Sequence, residues 1–171
     1  METWDAVRAR RNVRSFTDQA IADDDLDRVL EAGRRAPSAS NTQPWDFVVV
    51  TERADLEELA LVWRGAGHIA RSAATIVIVA PITDEARQAG LIEYDLGQAT
   101  LQMAVIAADL GIGSGHAAIE DQDRLRRLLG VPEDRRGAYL LALGYPADRP
   151  LAPLTKINRR PFEEVVHRDR W

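Results

Sequence analysis

Ala73-Ala74-Thr75-Ile76-Val77-Ile78-Val79-Ala80 is apolar at both parities and rich in β-branched residues. It reads as a strand buried on both faces, near the middle of a sheet. It is also far shorter than the ~20 residues needed to cross a bilayer. Outward from it, Phe47-Val48-Val49-Val50-Thr51 reads as a buried strand and Tyr139-Leu140-Leu141-Ala142-Leu143-Gly144 as another inner strand. Helical patterns alternate with them. Residues 2–11 form a short helix with Trp4 and Val7 on one side. Asp23, Asp24 and Asp25 supply first-turn carboxylates for a helix in which Leu26, Val29, Leu30 and Gly33 recur at helical spacing, until Pro37 stops it. Residues 53–63, 87–110 and 121–129 are also helical. The second half of the 87–110 helix is apolar nearly all round, which places it inside a core or a large interface. Gly111, Gly113 and Gly115 then break the pattern.

The mixture of strands and helices around a buried sheet predicts one α+β domain over residues 1–171. After Pro146 the chain turns Pro-rich, basic and extended. It closes on a strand-like piece, Phe162 to His167, followed by Trp171. Phe162, Val165, Val166 and Trp171 are costly to leave in water. A partner subunit exchanging tails answers that cost, and a frayed terminus is the plainer alternative.

The 171 residues are 46% hydrophobic and 29% charged, which suits a packed core, and the net charge is −5. Those totals carry no basic footprint for duplex nucleic acid. No cysteine is present, so disulfides, thiolate nucleophiles and cysteine metal sites are excluded. His68, His116 and His167 lack metal-ligand spacing, and no metal is expected. The first residues lack the basic-then-apolar order of a signal peptide, so a cytoplasmic protein without a membrane segment is expected.

Four constellations carry the candidate chemistry. Arg8-Ala9-Arg10-Arg11-Asn12-Val13-Arg14-Ser15 puts four arginines into seven residues of an acidic protein. Arginine gives planar, permanently charged contacts to phosphate, although a solvated basic helix end has the same look. Ala36-Pro37-Ser38-Ala39-Ser40-Asn41-Thr42-Gln43-Pro44-Trp45 is ten uncharged residues dense in hydroxyls and amides, able to lie against a flat ring and reach its polar edges. The alternative is a helix-stop loop of Asx and Ser/Thr turns. Gly111-Ile112-Gly113-Ser114-Gly115-His116 follows a helix and lacks the G-x-G-x-x-G spacing, so it is no dinucleotide fingerprint. It is either a close backbone approach to a flat ligand or a C-cap and tight turn. Lys156-Ile157-Asn158-Arg159-Arg160-Pro161 is a second basic cluster, and the two together suggest one anion gathered from both chain ends. No G-x-S-x-G elbow marks a nucleophilic serine.

In order, these segments resemble the nitroreductase family. Arg10-Arg11-Asn12-Val13-Arg14-Ser15-Phe16 is similar to R-R-S-V-R-x-F, with Asn12 at the usual serine. Ala36 to Trp45 is similar to A-P-S-x-x-N-x-Q-P-W. Asp95-Leu96-Gly97-Gln98-Ala99 resembles D-x-G-x-A, Leu110 to Ser114 resembles L-G-L-G-S, and Arg159 to His167 resembles R-K-P-L-E-E-V-V-H. The resemblance implies a central mixed sheet flanked by helices and an intertwined homodimer with exchanged C-terminal tails and FMN sites at the interface. It implies an FMN-dependent oxidoreductase that passes hydride from NADH or NADPH to a small organic acceptor, such as a nitroaromatic or a quinone, by a ping-pong mechanism. Arg10, Arg11, Asn12 and Arg14, with Arg159 or Arg160, would hold the phosphate and ribityl chain. Pro37, Ser38, Ala39, Ser40, Asn41 and Gln43 would line the flavin from the partner subunit, and Gly113, Ser114 and Gly115 would sit against the ring. The flavin carries the chemistry, so no obligatory catalytic side chain is implied. His116 is either a substrate contact or a turn residue. Only about ten residues separate the 73–80 strand from the next helix, so a long covering insertion is absent and an open site is expected. The same fold also serves reductive dehalogenation, flavin destruction, deazaflavin-linked reduction or flavin binding without turnover.

Overall fold

The structure, a computed structural model, describes residues 1–155 and 158–171. Lys156 and Ile157, which open the second basic cluster, lie outside the described residues. The regular elements are α1 (Thr3–Ala9), α2 (Asp23–Arg34), β1 (Asp46–Val50), α3 (Arg53–Leu59), β2 (Ala74–Pro81), α4 (Ala86–Asp109), β3 (Gly113–Ala118), α5 (Gln122–Leu129) and β4 (Arg135–Gly144). They build an α+β fold around a four-stranded sheet in the order β1-β2-β4-β3. No helix among the described residues is long and apolar enough to cross a membrane.

The sheet is antiparallel between all its strands, not mixed as the resemblance implies. Among the described residues the single parallel pairing is an isolated bridge from Asn12 to Ser114. Continuous apolar strands are the usual mark of parallel sheets because those are covered on both faces. This antiparallel sheet is covered on both faces too, and the two parities of β2 divide accordingly. Ile76 and Ile78 pack with Val29 of α2 and with Leu96 and Met103 of α4. Val77 and Val79 pack with Leu56 and Leu59 of α3 and with Leu125 of α5.

The glycine-rich stretch is where sequence and structure differ most. Gly111 alone is the turn residue. It follows α4 at φ 78°, with Gly111 N–H donating to Ala108 at 3.1 Å and Ile112 N–H donating to Ala107 at 2.8 Å. That is the Schellman pattern, which a glycine accommodates without strain. Gly113 and Gly115 belong to strand β3, which side-chain periodicity hides because two of its six residues have no side chain. The segment after α1 lies along this strand, held by Val13 N–H donating to Ser114 carbonyl oxygen at 2.8 Å. A Cβ at Gly113 would lie 2.6 Å from Val13 Cγ2, and one at Gly115 would lie 2.3 Å from the Val13 carbonyl oxygen.

The C-terminal end also departs from the sequence reading. The 162–167 piece is not a strand. Residues Phe162–Glu164 form a single 3-10 turn, and Phe162, Val165, Val166 and Trp171 are exposed. In α1, Trp4 and Val7 face outward while Ala6 and Ala9 are buried. A lone extended segment without a paired neighbour gains no ladder hydrogen bonds, so apolar alternation by itself does not make a strand.

Replacing Gly115 by Ala forces a methyl group onto backbone, not onto a mobile side chain. It is expected to destabilise the protein by about 1–3 kcal/mol. Gly90, exposed in α4 with open space around it, behaves oppositely, and Gly90→Ala is expected to add about 0.5–1 kcal/mol. Urea midpoints of the two variants check this.

Candidate functional site

Because residues 10–16 are pinned along β3, their alternate side chains are carried to the α4 face of the sheet. Ser114 and His116 pair with Leu143 and Leu141 of β4 and share their side of the sheet. Asn12 meets His116 there, with His116 Nδ1 3.4 Å from Asn12 Oδ1. His116 is therefore a half-buried strand residue, and the turn reading does not hold. Its imidazole stays below its ordinary range, first through burial and then through Arg10, Arg14 and His68. His68, from the 3-10 segment Gly67–Arg71, sits against Gly115 on the opposite face of β3. Its Nε2 is buried without a hydrogen-bond partner, as is Ser114 Oγ. Burial is the main cause holding His68 low; Arg14 adds to it, and the Gly115 and Gly65 backbone opposes it.

Arg10 is the wall between two clefts. One, of about 310 Å³, runs between α4 and the sheet and is lined by Arg10, Glu93, Gly97, Leu101, His116 and Tyr139. The other, of about 530 Å³, is lined by Trp4, Val7, Arg10, Leu154, Asn158 and Arg159. The two ends of the chain thus meet at Arg10, and Arg159 shares its cleft. Arg160 turns instead to its own segment, donating to the Glu164 carbonyl oxygen at 2.9 Å. Arg11 is likewise engaged, bonding Asp148 at 2.7 Å and the Arg149 carbonyl at 2.9 Å. It holds the Asp148 carboxyl below the usual carboxylate range. Among the described residues no carboxylate pairs with Arg10 or Arg14; the ion pairs of this region belong to Arg8 and Arg11.

The 36–45 loop lies elsewhere. Ala39, Ser40 and Gln43 border a cleft of about 630 Å³ together with Asp95 and Arg87 of α4. Three non-glycine residues here have positive φ: Ser40 at 52°, Asn41 at 57° and Gln43 at 49°. Ser38 Oγ accepts from Gln43 N–H at 2.9 Å, and Asn41 N–H donates to Ser38 carbonyl oxygen at 3.0 Å. Pro37 offers its carbonyl to Gln98 Nε2 at 3.4 Å. The Ser40, Asn41 and Thr42 side chains remain exposed. α4 stands between this loop and the Arg10 clefts, with Asp95 and Gln98 toward the loop and Glu93, Gly97 and Leu101 toward His116.

Sequence reasoning did not select His68, Glu93 or Tyr139. Tyr139 donates to Glu93 Oε2 at 2.8 Å, which raises the phenol pKa, and Arg136 pairs with the same carboxylate. None of these residues stands in a motif; only packing gathers them. Among the described residues no cluster of three or more acids and histidines could hold a metal ion.

Both imidazoles are held below 6.5, their ordinary value, so the folded chain favours their neutral forms. The unfolded chain takes up protons first. The stability they contribute is complete above about 6.5 and is lost as pH falls through that value toward the lower folded pKa. Melting temperature is expected to decline as pH falls below about 6.5. The double variant His68→Leu, His116→Gln should flatten that decline.

A sequence model described as the nitroreductase family matches residues 7–66. A protein of Archaeoglobus fulgidus named "Putative NADH dehydrogenase/NAD(P)H nitroreductase" is 31% identical over 96% of both chains. The oxygen-insensitive NADPH nitroreductase of Salmonella typhimurium is 28% identical over 99% of this chain and 74% of its own. Among solved structures, the NADPH:FMN oxidoreductase of Vibrio harveyi, complexed with NAD+, superposes with a TM-score of 0.85 at 23% identity, covering 97% of this chain and 76% of that one. The chain belongs to the nitroreductase family of NAD(P)H-dependent oxidoreductases.

Proposed function

We propose that the chain, as one domain over residues 1–171, is an FMN-dependent oxidoreductase acting as a homodimer with its cofactor sites at the subunit interface. The observation that carries this reading is Arg10, which lines both the cleft holding Arg159 and the cleft holding His116, together with Arg14, whose charge acts on His116; among the described residues neither arginine has a carboxylate partner. In a chain of net charge −5, two uncompensated guanidinium groups beside a partly buried imidazole suit a phosphate dianion. On the same face of β3 as His116, the buried Ser114 Oγ has no hydrogen-bond partner among the described residues, which leaves unfilled hydrogen-bonding capacity there.

FMN, when bound, supplies the hydride chemistry between NAD(P)H and an acceptor. The protein's part is to bind, orient and exclude water. Arg10 and Arg14, with Arg159, supply the charge for the phosphate. Asn12, Ser114 and the β3 backbone supply neutral groups. Neutral His116 borders the cleft without adding another positive charge. The link from β2 to α4 is only residues 82–85, so no insertion covers the clefts. An open site suits reductant and acceptor occupying one pocket in turn, the ping-pong order. Flat nitroaromatics and quinones fit such a site, and the nitroaromatic choice is supported by relatives named as nitroreductases.

Two subunits are required because α4 keeps the 36–45 loop away from the Arg10 clefts within one chain. Ser40, Asn41 and Thr42 point outward on one side of α4, and Leu91, Tyr94 and Leu101 of that helix are exposed. A second copy packed on α4 brings its loop to the first copy's cleft. The exposed Phe162, Val165 and Val166 and the unpaired edge of β1 support exchange of the C-terminal tails.

The double variant Arg10→Ala, Arg14→Ala removes two charge-assisted bonds of about 1.5–3 kcal/mol each. It is expected to weaken FMN binding by at least about two orders of magnitude. Absorbance of the desalted protein after FMN addition reads this, and a yellow double variant refutes the phosphate assignment. Truncation after Pro150 is expected to yield monomer in sedimentation; a stable truncated dimer refutes tail exchange.

A further inference from the structure

We propose that Asp95 is a positioning residue for the cofactor loop. From the middle of α4 its carboxylate holds residues 37–43 in their strained shape before any ligand arrives. This rests on the flavin reading above.

Asp95 is 2% exposed, and among the described residues it has no cationic partner. A buried carboxylate is costly unless its oxygens are bonded. Its two bonds both tie it to the loop. Oδ2 accepts the Ala39 N–H at 2.9 Å, and Oδ1 accepts the Gln98 side-chain amide at 3.2 Å. The Gln98 amide also reaches the Pro37 carbonyl oxygen at 3.4 Å. The first N–H of the 39–41 turn is thus capped from α4, not by the nearby Ser38 hydroxyl, which is engaged by Gln43 N–H.

This arrangement accounts for the loop's backbone. Ser40, Asn41 and Gln43 occupy the left-handed region, which L-residues disfavour. Such conformations persist only where the surroundings over-determine them. The start of the loop is fixed at Pro37 and Ala39 through Asp95 and Gln98, and its later part is tied back at Asn41 and Gln43 to Ser38. The outward side chains of Ser40, Asn41 and Thr42 are then presented in one geometry. A ligand meeting a loop that adopts this geometry only part of the time binds more weakly in proportion.

The test is Asp95→Asn in the full-length protein. The amide is the same size but loses the charge and one acceptor. Hydrogen exchange of the flavin-free protein is measured at residues 38–43 and in β2 and β4, and FMN affinity is measured by quenching of flavin fluorescence. Loop exchange about tenfold faster, with the strands unchanged and FMN bound about tenfold more weakly, is the expected result. Unchanged loop exchange overturns the proposal, as does faster loop exchange with unchanged FMN affinity. If Asp95→Asn does not fold, Gln98→Ala, at a half-buried position, is expected to show both changes at smaller size. A wild-type protein that takes up no FMN defeats the flavin reading, while the exchange arm still decides whether Asp95 holds the loop.

Discussion

The close passage of Val13 over Gly113 and Gly115 is the contact on which the candidate site depends. Residues 10–16 can lie along β3 only because the strand has no Cβ where Val13 and its carbonyl oxygen come down. The Val13–Ser114 backbone bond then sets the register. With the register set, alternation along an extended chain sends Val13 into the α3-side core and Asn12 to His116. The basic cluster is thereby turned from a helix end into one wall of a cleft. The glycines serve chain packing first, and any closeness to a ligand follows from it.

α4 is the second organising element. It buries Leu96, Ala99 and Met103 against the sheet and still leaves Leu91, Tyr94 and Leu101 in the open. A helix that is apolar nearly all round cannot satisfy its whole surface within so small a domain. The remaining surface lies between the strained loop and the Arg10 clefts. The same helix carries Asp95 and Gln98 toward the loop and Glu93 and Gly97 toward His116.

Charge is distributed with the same local logic. Arg11, Arg34 and Arg124 are neutralised by Asp148, Glu31 and Glu58. These exposed pairs add little to stability, yet among the described residues they leave Arg10 and Arg14 as cations without a carboxylate partner beside the histidines. Burial, with that positive neighbourhood, lowers the pKa of His68 and His116 and favours their neutral forms. The arrangement favours an anionic guest over an internal ion pair.

The sequence by itself determined the α+β class, the inner strands β2 and β4, the long helix α4 and the family. Those features are local periodicities and ordered motifs, which survive in one dimension. It also singled out Arg10, Arg14 and His116, although it could not tell a strand residue from a turn residue at His116. Tertiary structure alone decided that Gly113 to Ala118 is a strand, that the sheet is antiparallel, that Arg11 and Arg160 are engaged elsewhere, and that His68, Glu93 and Tyr139 gather near the same strand. Each of those outcomes depends on contacts between residues tens of positions apart. A side chain's partner is set by which backbones approach closely enough to exclude a Cβ or share a hydrogen bond, and no period or motif along the chain encodes that distance.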